Sequence, residues 1–300
     1  MFEMAFACLA GTEAQARQSL LLVQSLRAFG GSLAASPMMA LVPVAGVLDA
    51  EIDAGLRACD VDVVPFAVPE ALEEMPLSER AASAAQAEIA AQDVARLLVW
   101  LDSDTLILRE PSGLRIPAEA RIGCRPVDLC LIGSPWEEEP DAFWKAIYAG
   151  CGVEPDRVFP VNTMVEGEAI RAYFNAGCLV VRPQARLLRR WLAAILSLEG
   201  REKFRALTGR QKLFFHQAVL AGTLLAALRR EEIAVLPPTV NYPLHLHHRV
   251  PADRRPTSLR EVESCRYESV FELGDWDSRL PLDGELRSWL EARRELARGD

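Results

Sequence analysis

The sequence predicts an α/β protein built on a mostly parallel, wound central sheet with flanking helices. Three observations carry that prediction. Strand-like and helix-like segments alternate through the first half of the chain, as successive strand–helix–strand units of a right-handed parallel sheet do. The run Leu97-Leu98-Val99-Trp100-Leu101 is apolar throughout instead of alternating, as a strand buried on both faces is. Half of the 300 residues are apolar, enough for one large α/β domain, or for one domain with a smaller appendage.

The elements follow in order. Residues 5–10 read as a first strand: the N-terminus lacks a basic segment and Glu3 interrupts it, so it does not read as a signal peptide. Gly11-Thr12-Glu13 gives a turn and a helix start, and Leu20, Val23, Leu26 and Phe29 recur at helical spacing up to the stop signal Gly30-Gly31. Residues 38–44 and 61–66 are the next strands, with a short helix over 48–59 between them. An Ala- and Gln-rich helix over 78–93 leads into the central strand that ends at Leu101. The second half is less regular. A short strand is expected over 129–132, and a partly helical insertion over the open face of the sheet at 137–168, where acidic residues, Pro, Gly and aromatics mix. Strand character returns over 173–181, an apolar helix follows over 187–198 between Pro183 and Gly200, and 233–236 is a last short strand. Residues 1–250 therefore read as the main domain. Residues 251–300 read as a polar C-terminal extension ending in an amphipathic helix, with Leu286, Trp289, Leu290 and Leu296 on one face. There is no internal repeat and no low-complexity linker.

Composition excludes some classes. A formal net charge of −9 argues against nucleic acid as a partner, because phosphate backbones need a basic face. The seven cysteines form no C-x-x-C pair and mostly sit among apolar neighbours, as small core residues in a reducing compartment do. No apolar stretch is long enough to span a bilayer, so a soluble cytoplasmic protein is expected. The sequence leaves the oligomeric state open.

The chemistry concentrates where the central strand ends, at Asp102-Ser103-Asp104. In extended chain, residues i and i+2 project to one side, so the two carboxylates can face one hard cation such as Mg²⁺ or Mn²⁺. The spacing alone is weak, since Asp60-Val61-Asp62 and Asp275-Trp276-Asp277 repeat it. The placement after a buried strand is what singles out one copy.

Three segments in order, Leu101-Asp102-Ser103-Asp104-Thr105, Tyr173-Phe174-Asn175-Ala176-Gly177-Cys178 and Leu236-Pro237-Pro238-Thr239-Val240-Asn241, resemble successive motifs of metal-dependent GT-A glycosyltransferases. The nearest group is the glycogenin-like and galactosyltransferase (family 8-like) one, and Ser25-Leu26-Arg27 matches its early Ser-Leu pattern. The resemblance covers roughly residues 4–248. It implies a Rossmann-like GT-A sheet and transfer of a sugar from a nucleoside diphosphate sugar, UDP-linked in preference, to a carbohydrate or other small acceptor. A divalent metal would serve as the Lewis acid on the leaving diphosphate. It implies Asp104 as the more direct metal ligand and Asp102 as shared between metal and donor. Either His245 or His247, with His247 preferred, would complete the metal sphere. Asn175, Ala176 and Gly177 would line the donor-sugar pocket, where Gly lets the backbone approach and Asn bonds hydroxyls. Gln217 would touch the reacting sugar. Ala10, Gly11 and Thr12 would meet base and ribose, Arg80 would reach the diphosphate, and Trp100, Leu101, Ser103 and His216 would stand on the donor side. Trp136, Trp144 and Tyr148 can stack on an acceptor sugar.

Two departures stand out. Where the group carries an Asp-Gln pair near the acceptor, this chain has His216-Gln217. Where the group ends its core with Lys-Pro-Trp, His247-His248-Arg249-Val250-Pro251 follows, and Arg249 is the available cation. Retention and inversion of anomeric configuration both stay open, with retention favoured by the resemblance. So does a catalytically inactive nucleotide- or sugar-binding scaffold of the same fold. A sugar-nucleotide pyrophosphorylase is disfavoured, because Leu9-Ala10-Gly11-Thr12-Glu13 lacks the Gly-rich, Arg-containing loop that class needs.

Overall fold

A computed structural model of the chain describes residues 1–200 and 202–297. The strands are β1 Phe2–Leu9, β2 Met38–Pro43, β3 Val61–Phe66, β4 Ala95–Leu101, β5 Thr105–Ile107 and β6 Ile122–Pro126. They continue with β7 Pro160–Asn162, β8 Ala169–Arg171, β9 Phe174–Val181, β10 Ile233–Val235, β11 Tyr242–Pro243 and β12 Ser264–Arg266. The helices are α1 Glu13–Phe29, α2 Ala50–Ala58, α3 Glu79–Ala91, α4 Ala142–Cys151, α5 Leu187–Glu199, α6 Glu202–Arg205, α7 Gly209–Leu213 and α8 Phe215–Ala227, then α9 Trp276–Arg279, α10 Gly284–Glu291 and α11 Arg294–Ala297.

A seven-stranded sheet in the order β10-β6-β9-β4-β1-β2-β3 forms the centre. Its neighbours pair in parallel except β9, which runs antiparallel to both β4 and β6. The unbroken apolar runs of the sequence have their cause here. In β1, Met4, Phe6 and Cys8 enter the core on one face, while Ala5, Ala7 and Leu9 enter the core on the other. In β4, Leu97, Val99 and Leu101 alternate with Leu98 and Trp100 in the same way. Helices α1 and α2 cover the first face through Ala16, Leu20, Val23, Leu26, Ile52 and Leu56. Helices α3, α5 and α8 cover the second, where Trp191 and Phe215 are fully buried. Each such large side chain contributes about 1.5–3 kcal/mol of burial.

The order reverses between β1 and β4: from β1 the chain winds outward through β2 and β3, whereas β4 returns to its other side. That reversal opens a crevice at the carboxyl ends of the two strands, the usual ligand position in open α/β sheets. The turn there is locked. Thr12 caps α1 by accepting from Gln15 N at 3.2 Å, and the Gln15 carboxamide accepts from Thr12 N at 3.2 Å and Gly11 N at 3.0 Å, a capping box contributing about 1 kcal/mol.

The structure departs from the sequence expectation at one strand and adds packing detail to it at two other segments. The strand expected over 129–132 lies earlier, at β6 Ile122–Pro126, and Leu131 sits in a turn at φ 44°. Arg125 disguised it: this arginine is only 4% exposed and donates from Nη1 to the Pro237 carbonyl at 2.8 Å. The segment at 137–168 includes a helix packed into the main core, where α4 buries Phe143, Trp144 and Ile147. Trp144 is 1% exposed and so offers no face to an acceptor, and Trp136 and Tyr148 border a separate cavity of about 360 Å³. The segment after residue 250 is joined to the rest by backbone. β12 pairs antiparallel with β5, and β11 pairs parallel with β12. Leu286 and Leu290 of α10 are buried, Trp289 meets Phe29 edge-on at 5.1 Å, and Leu296 belongs to the separate α11. Residues 298–300 of the expected extension lie outside the described residues. Among the described residues no helix is long and apolar enough to cross a membrane.

Candidate active site

Asp102 is the first residue after β4, and Ala10 the first after β1. Because β9 is antiparallel, its beginning lies at this same edge: Leu101 faces Cys178, and Asp102 N donates to the Gly177 carbonyl at 2.8 Å. The Asp-Ser-Asp and Asn-Ala-Gly segments, distant in sequence, are thus adjacent. Gly177 is required by that adjacency. A Cβ there would overlap the Asp102 carboxylate, standing 2.6 Å from its Cγ and 3.0 Å from Asn175 Oδ1.

The first turn of α3 brings Arg80 to the pair. Its Nη1 donates to Asp102 Oδ2 at 2.9 Å, with side chains 22% and 6% exposed. Ser103 Oγ donates to Gln18 Oε1 at 3.0 Å, and the Asp104 carbonyl accepts from Tyr267 N at 3.0 Å. Burial and then the charge of Asp102 push the Asp104 carboxyl up to about 6, against the pull of Arg266 and Arg80. A buried carboxylate beside a second one suits a cation.

Beside this edge lies a cavity of about 310 Å³. It is lined by Val127, Asp128, Leu129, Leu131, Tyr173, Asn175, Phe214, Gln217, His245, Leu246, Arg266 and Glu268. Gln217, near the start of α8, is fixed at both ends of its carboxamide: Oε1 accepts from Ala176 N at 3.1 Å and Nε2 donates to Tyr173 Oη at 2.7 Å. Asn175 Oδ1 accepts from Gly177 N at 2.7 Å. Arg266 Nη2 stands 3.4 Å from Asp128 Oδ2 and 3.2 Å from Glu268 Oε1, while His245 Nε2 stands 3.3 Å from the same Glu268 oxygen.

The residues anticipated from sequence fall into two groups. Asp102, Asp104, Ser103, Arg80, Asn175, Ala176, Gly177 and Gln217 gather at one edge. Ala10, Gly11 and Thr12 border a smaller cavity of about 40 Å³ at the end of β1. Others lie elsewhere. Trp100 and Leu101 are 0% and 1% exposed, so their side chains are core and only their backbone is available to a ligand. His247 binds Tyr242 Oη through Nδ1 at 2.9 Å and does not line the cavity; His245 does. The reason is local: Leu244–Arg249 form a 3₁₀ turn, in which i and i+2 diverge instead of sharing a face. Arg249 is 57% exposed and lies 3.8 Å from Glu166. His216 is buried beneath the site, where its carbonyl accepts from Trp191 Nε1 at 2.7 Å. Burial, and then the charge of Arg80, depress its pKa to about 3, so it is neutral at physiological pH. The thiols of Cys8 and Cys178 are pushed up to about 12 by burial, so neither is a ready nucleophile.

Asp128, Arg266 and Glu268 escaped the sequence reading. Asp128 follows the strand that Arg125 disguised, and the other two belong to the polar C-terminal segment. Their one signal was the strand-like Ser264-Cys265-Arg266-Tyr267 inside that segment.

Among the described residues no three His, Cys, Asp or Glu side chains converge on a metal position. The donor set is two aspartates. It fits a hard cation whose remaining ligands are waters and substrate phosphate oxygens, the usual habit of Mg²⁺-type sites.

A family model described as the Rhodobacterales glycosyltransferase domain matches residues 6–227. Among solved structures, an active-site mutant of the galactosyltransferase LgtC aligns with TM-score 0.52 at 15% identity, covering 99% of this chain and 95% of that one. The glycosyltransferase GlyE of Streptococcus pneumoniae TIGR4 aligns with TM-score 0.52 at 14% identity, covering 100% of this chain and 61% of that one. At these identities the likeness is one of fold. No curated protein matches by sequence. The family match spans most of the chain and takes in the acidic pair, the Asn-Ala-Gly segment and α8, so the protein belongs to the Rhodobacterales glycosyltransferase domain family and is a glycosyltransferase of GT-A fold.

Proposed function

We propose that this glycosyltransferase moves a sugar from a nucleoside diphosphate sugar, UDP-linked in preference, to a carbohydrate or other small acceptor, with Mn²⁺ or Mg²⁺ at Asp102 and Asp104. The observation that carries the reading is the buried Asp102 carboxylate lying over Gly177 beside a cavity that Asn175 and Gln217 line. The metal, when bound, would offset the charge that grows on the leaving diphosphate.

The chain's own residues supply the rest. Arg80 holds Asp102 in one rotamer, so its second oxygen keeps a fixed direction. Asn175, itself fixed by Gly177 N, presents its remaining amide donors to sugar hydroxyls. Gln217, clamped by Ala176 N and Tyr173, orients the reacting ring. The turn at Ala10, Gly11 and Thr12 is the position for base and ribose. His245, not His247, is the histidine at the cavity, and it stands as a candidate donor contact outside the two-aspartate metal position.

A second reading is favoured by one observation. His216 is buried and neutral where the resembling group carries a carboxylate, so the acceptor side lacks that charge. A nucleotide-binding scaffold without turnover would tolerate the loss. Calorimetry separates the options when joined to a donor-hydrolysis assay. UDP or GDP binding strengthened by Mn²⁺, with turnover, supports the enzyme reading; binding without turnover supports the scaffold; no nucleotide binding with either metal refutes both.

A further inference from the structure

We infer that Arg266 is the side chain that grips the donor's diphosphate. This rests on the donor reading above and adds to it the cation that the sequence lacked. Phosphate recognition needs positive charge, yet Lys-Pro-Trp is absent here, and Arg249, the substitute anticipated from sequence, is 57% exposed, points to Glu166 and does not line the cavity. Two other arginines flank the acidic pair. Arg80 is committed to Asp102 through a 2.9 Å bond. Arg266 is not committed in that way.

Its backbone is anchored against the acidic pair. In the β12–β5 ladder Arg266 stands opposite Thr105, the residue after Asp104, and the next amide, Tyr267 N, donates to the Asp104 carbonyl at 3.0 Å. Arg266 lines the cavity that Asn175 and Gln217 also line. The pairing there is loose: 3.4 Å to Asp128 and 3.2 Å to Glu268, against about 2.7–2.9 Å for a tight charge-assisted bond. Its Nε is buried without any partner. Burial works against its charge, but Asp128, Asp104, Glu268 and Asp102 together hold it firmly protonated. The long pairs to Asp128 and Glu268 leave the planar guanidinium fork free to re-aim, and that fork suits bidentate capture of phosphate oxygens.

The test separates this role from a structural one by its signs. Titration calorimetry is run on full-length wild type, Arg266→Gln and Arg266→Lys, first with Mn²⁺ alone and then with UDP at saturating Mn²⁺. Removing a cation from the acidic site leaves Mn²⁺ binding equal or tighter, while UDP affinity falls about tenfold or more (about 1.4 kcal/mol), and Lys restores part of it. If Arg266 only holds β12 in place, Arg266→Gln weakens Mn²⁺ and UDP together and lowers the melting temperature, which overturns the inference. UDP binding unchanged in Arg266→Gln also overturns it and leaves the donor reading intact. Failure of wild type to bind UDP with Mn²⁺ overturns the donor reading itself, and the inference with it.

Discussion

Gly177→Ala is the most direct perturbation of the packing that joins the two halves of the site. The added methyl would lie over the Asp102 carboxylate, 2.6 Å from Cγ and 3.0 Å from Asn175 Oδ1. β9 is hydrogen-bonded to β4 on one side and β6 on the other, so its backbone cannot retreat. Asp102 must move instead, and it is 6% exposed and paired with Arg80 at 2.9 Å. Overpacking of this kind costs about 1–3 kcal/mol. Separating a buried charge from its partner adds up to about 3–5 kcal/mol, depending on how far the pair opens. A destabilisation of at least about 2 kcal/mol is expected, lowering the melting temperature by about 3 °C or more in a chain of this size. Because the displaced carboxylate is also the proposed metal ligand, Mn²⁺-supported UDP affinity falls at least about tenfold. Scanning calorimetry and UDP titration read the two effects on one sample. A variant that melts within about 0.5 kcal/mol of wild type and binds UDP equally would refute the steric argument.

Other expectations follow from single residues. Asp104 is held at about 6 instead of 3.8, so the folded state binds a proton more readily than the unfolded one. The stability linked to this group is present below the unfolded value and is lost as pH rises through about 6. Asp104→Asn therefore raises the melting temperature of the metal-free protein at pH 7.5, and a fall there would contradict the burial account. In wild type, Mn²⁺ affinity weakens as pH drops through about 6, because protonated Asp104 cannot ligate; affinity flat between pH 7.5 and 5 would count against Asp104 as ligand. Gln217→Ala removes the clamp to Ala176 and Tyr173 and should lower kcat by about tenfold or more while UDP affinity stays within about twofold. Equal losses in both would make Gln217 a nucleotide contact instead. Arg249→Ala should leave UDP binding and stability within about 0.5 kcal/mol of wild type, as an exposed cation 3.8 Å from Glu166 would. Tenfold weaker UDP binding would return the phosphate role to Arg249.

The central sheet was legible because β1, β4 and β9 are buried on both faces, which leaves unbroken apolar runs in the sequence. β6 was misplaced because its buried Arg125 finds its partner in the carbonyl of Pro237, a long-range contact with no local pattern. The small sheet of β11, β12 and β5 was missed for a related reason: its strands are two or three residues long, and β12 pairs with β5 across about half the chain. At the site, Asp102 and Asp104 stood out through their position after a buried strand. Asp128, Arg266 and Glu268 come together only in the folded chain, so singly each looks like a surface charge. The preference for His247 over His245 came from the resemblance alone, and the 3₁₀ turn at Leu244–Arg249 brings His247 to Tyr242 instead of the cavity.

The central claim is that a metal at Asp102 and Asp104 activates a nucleoside diphosphate sugar. Release of UDP from a panel of UDP-sugars, measured with Mn²⁺ and with EDTA in wild type and Asp104→Ala, tests it most directly. The account predicts turnover that EDTA abolishes, that added Mn²⁺ restores, and that Asp104→Ala loses by about a hundredfold or more. Metal-dependent turnover that survives Asp104→Ala unchanged, or turnover indifferent to EDTA, would contradict it.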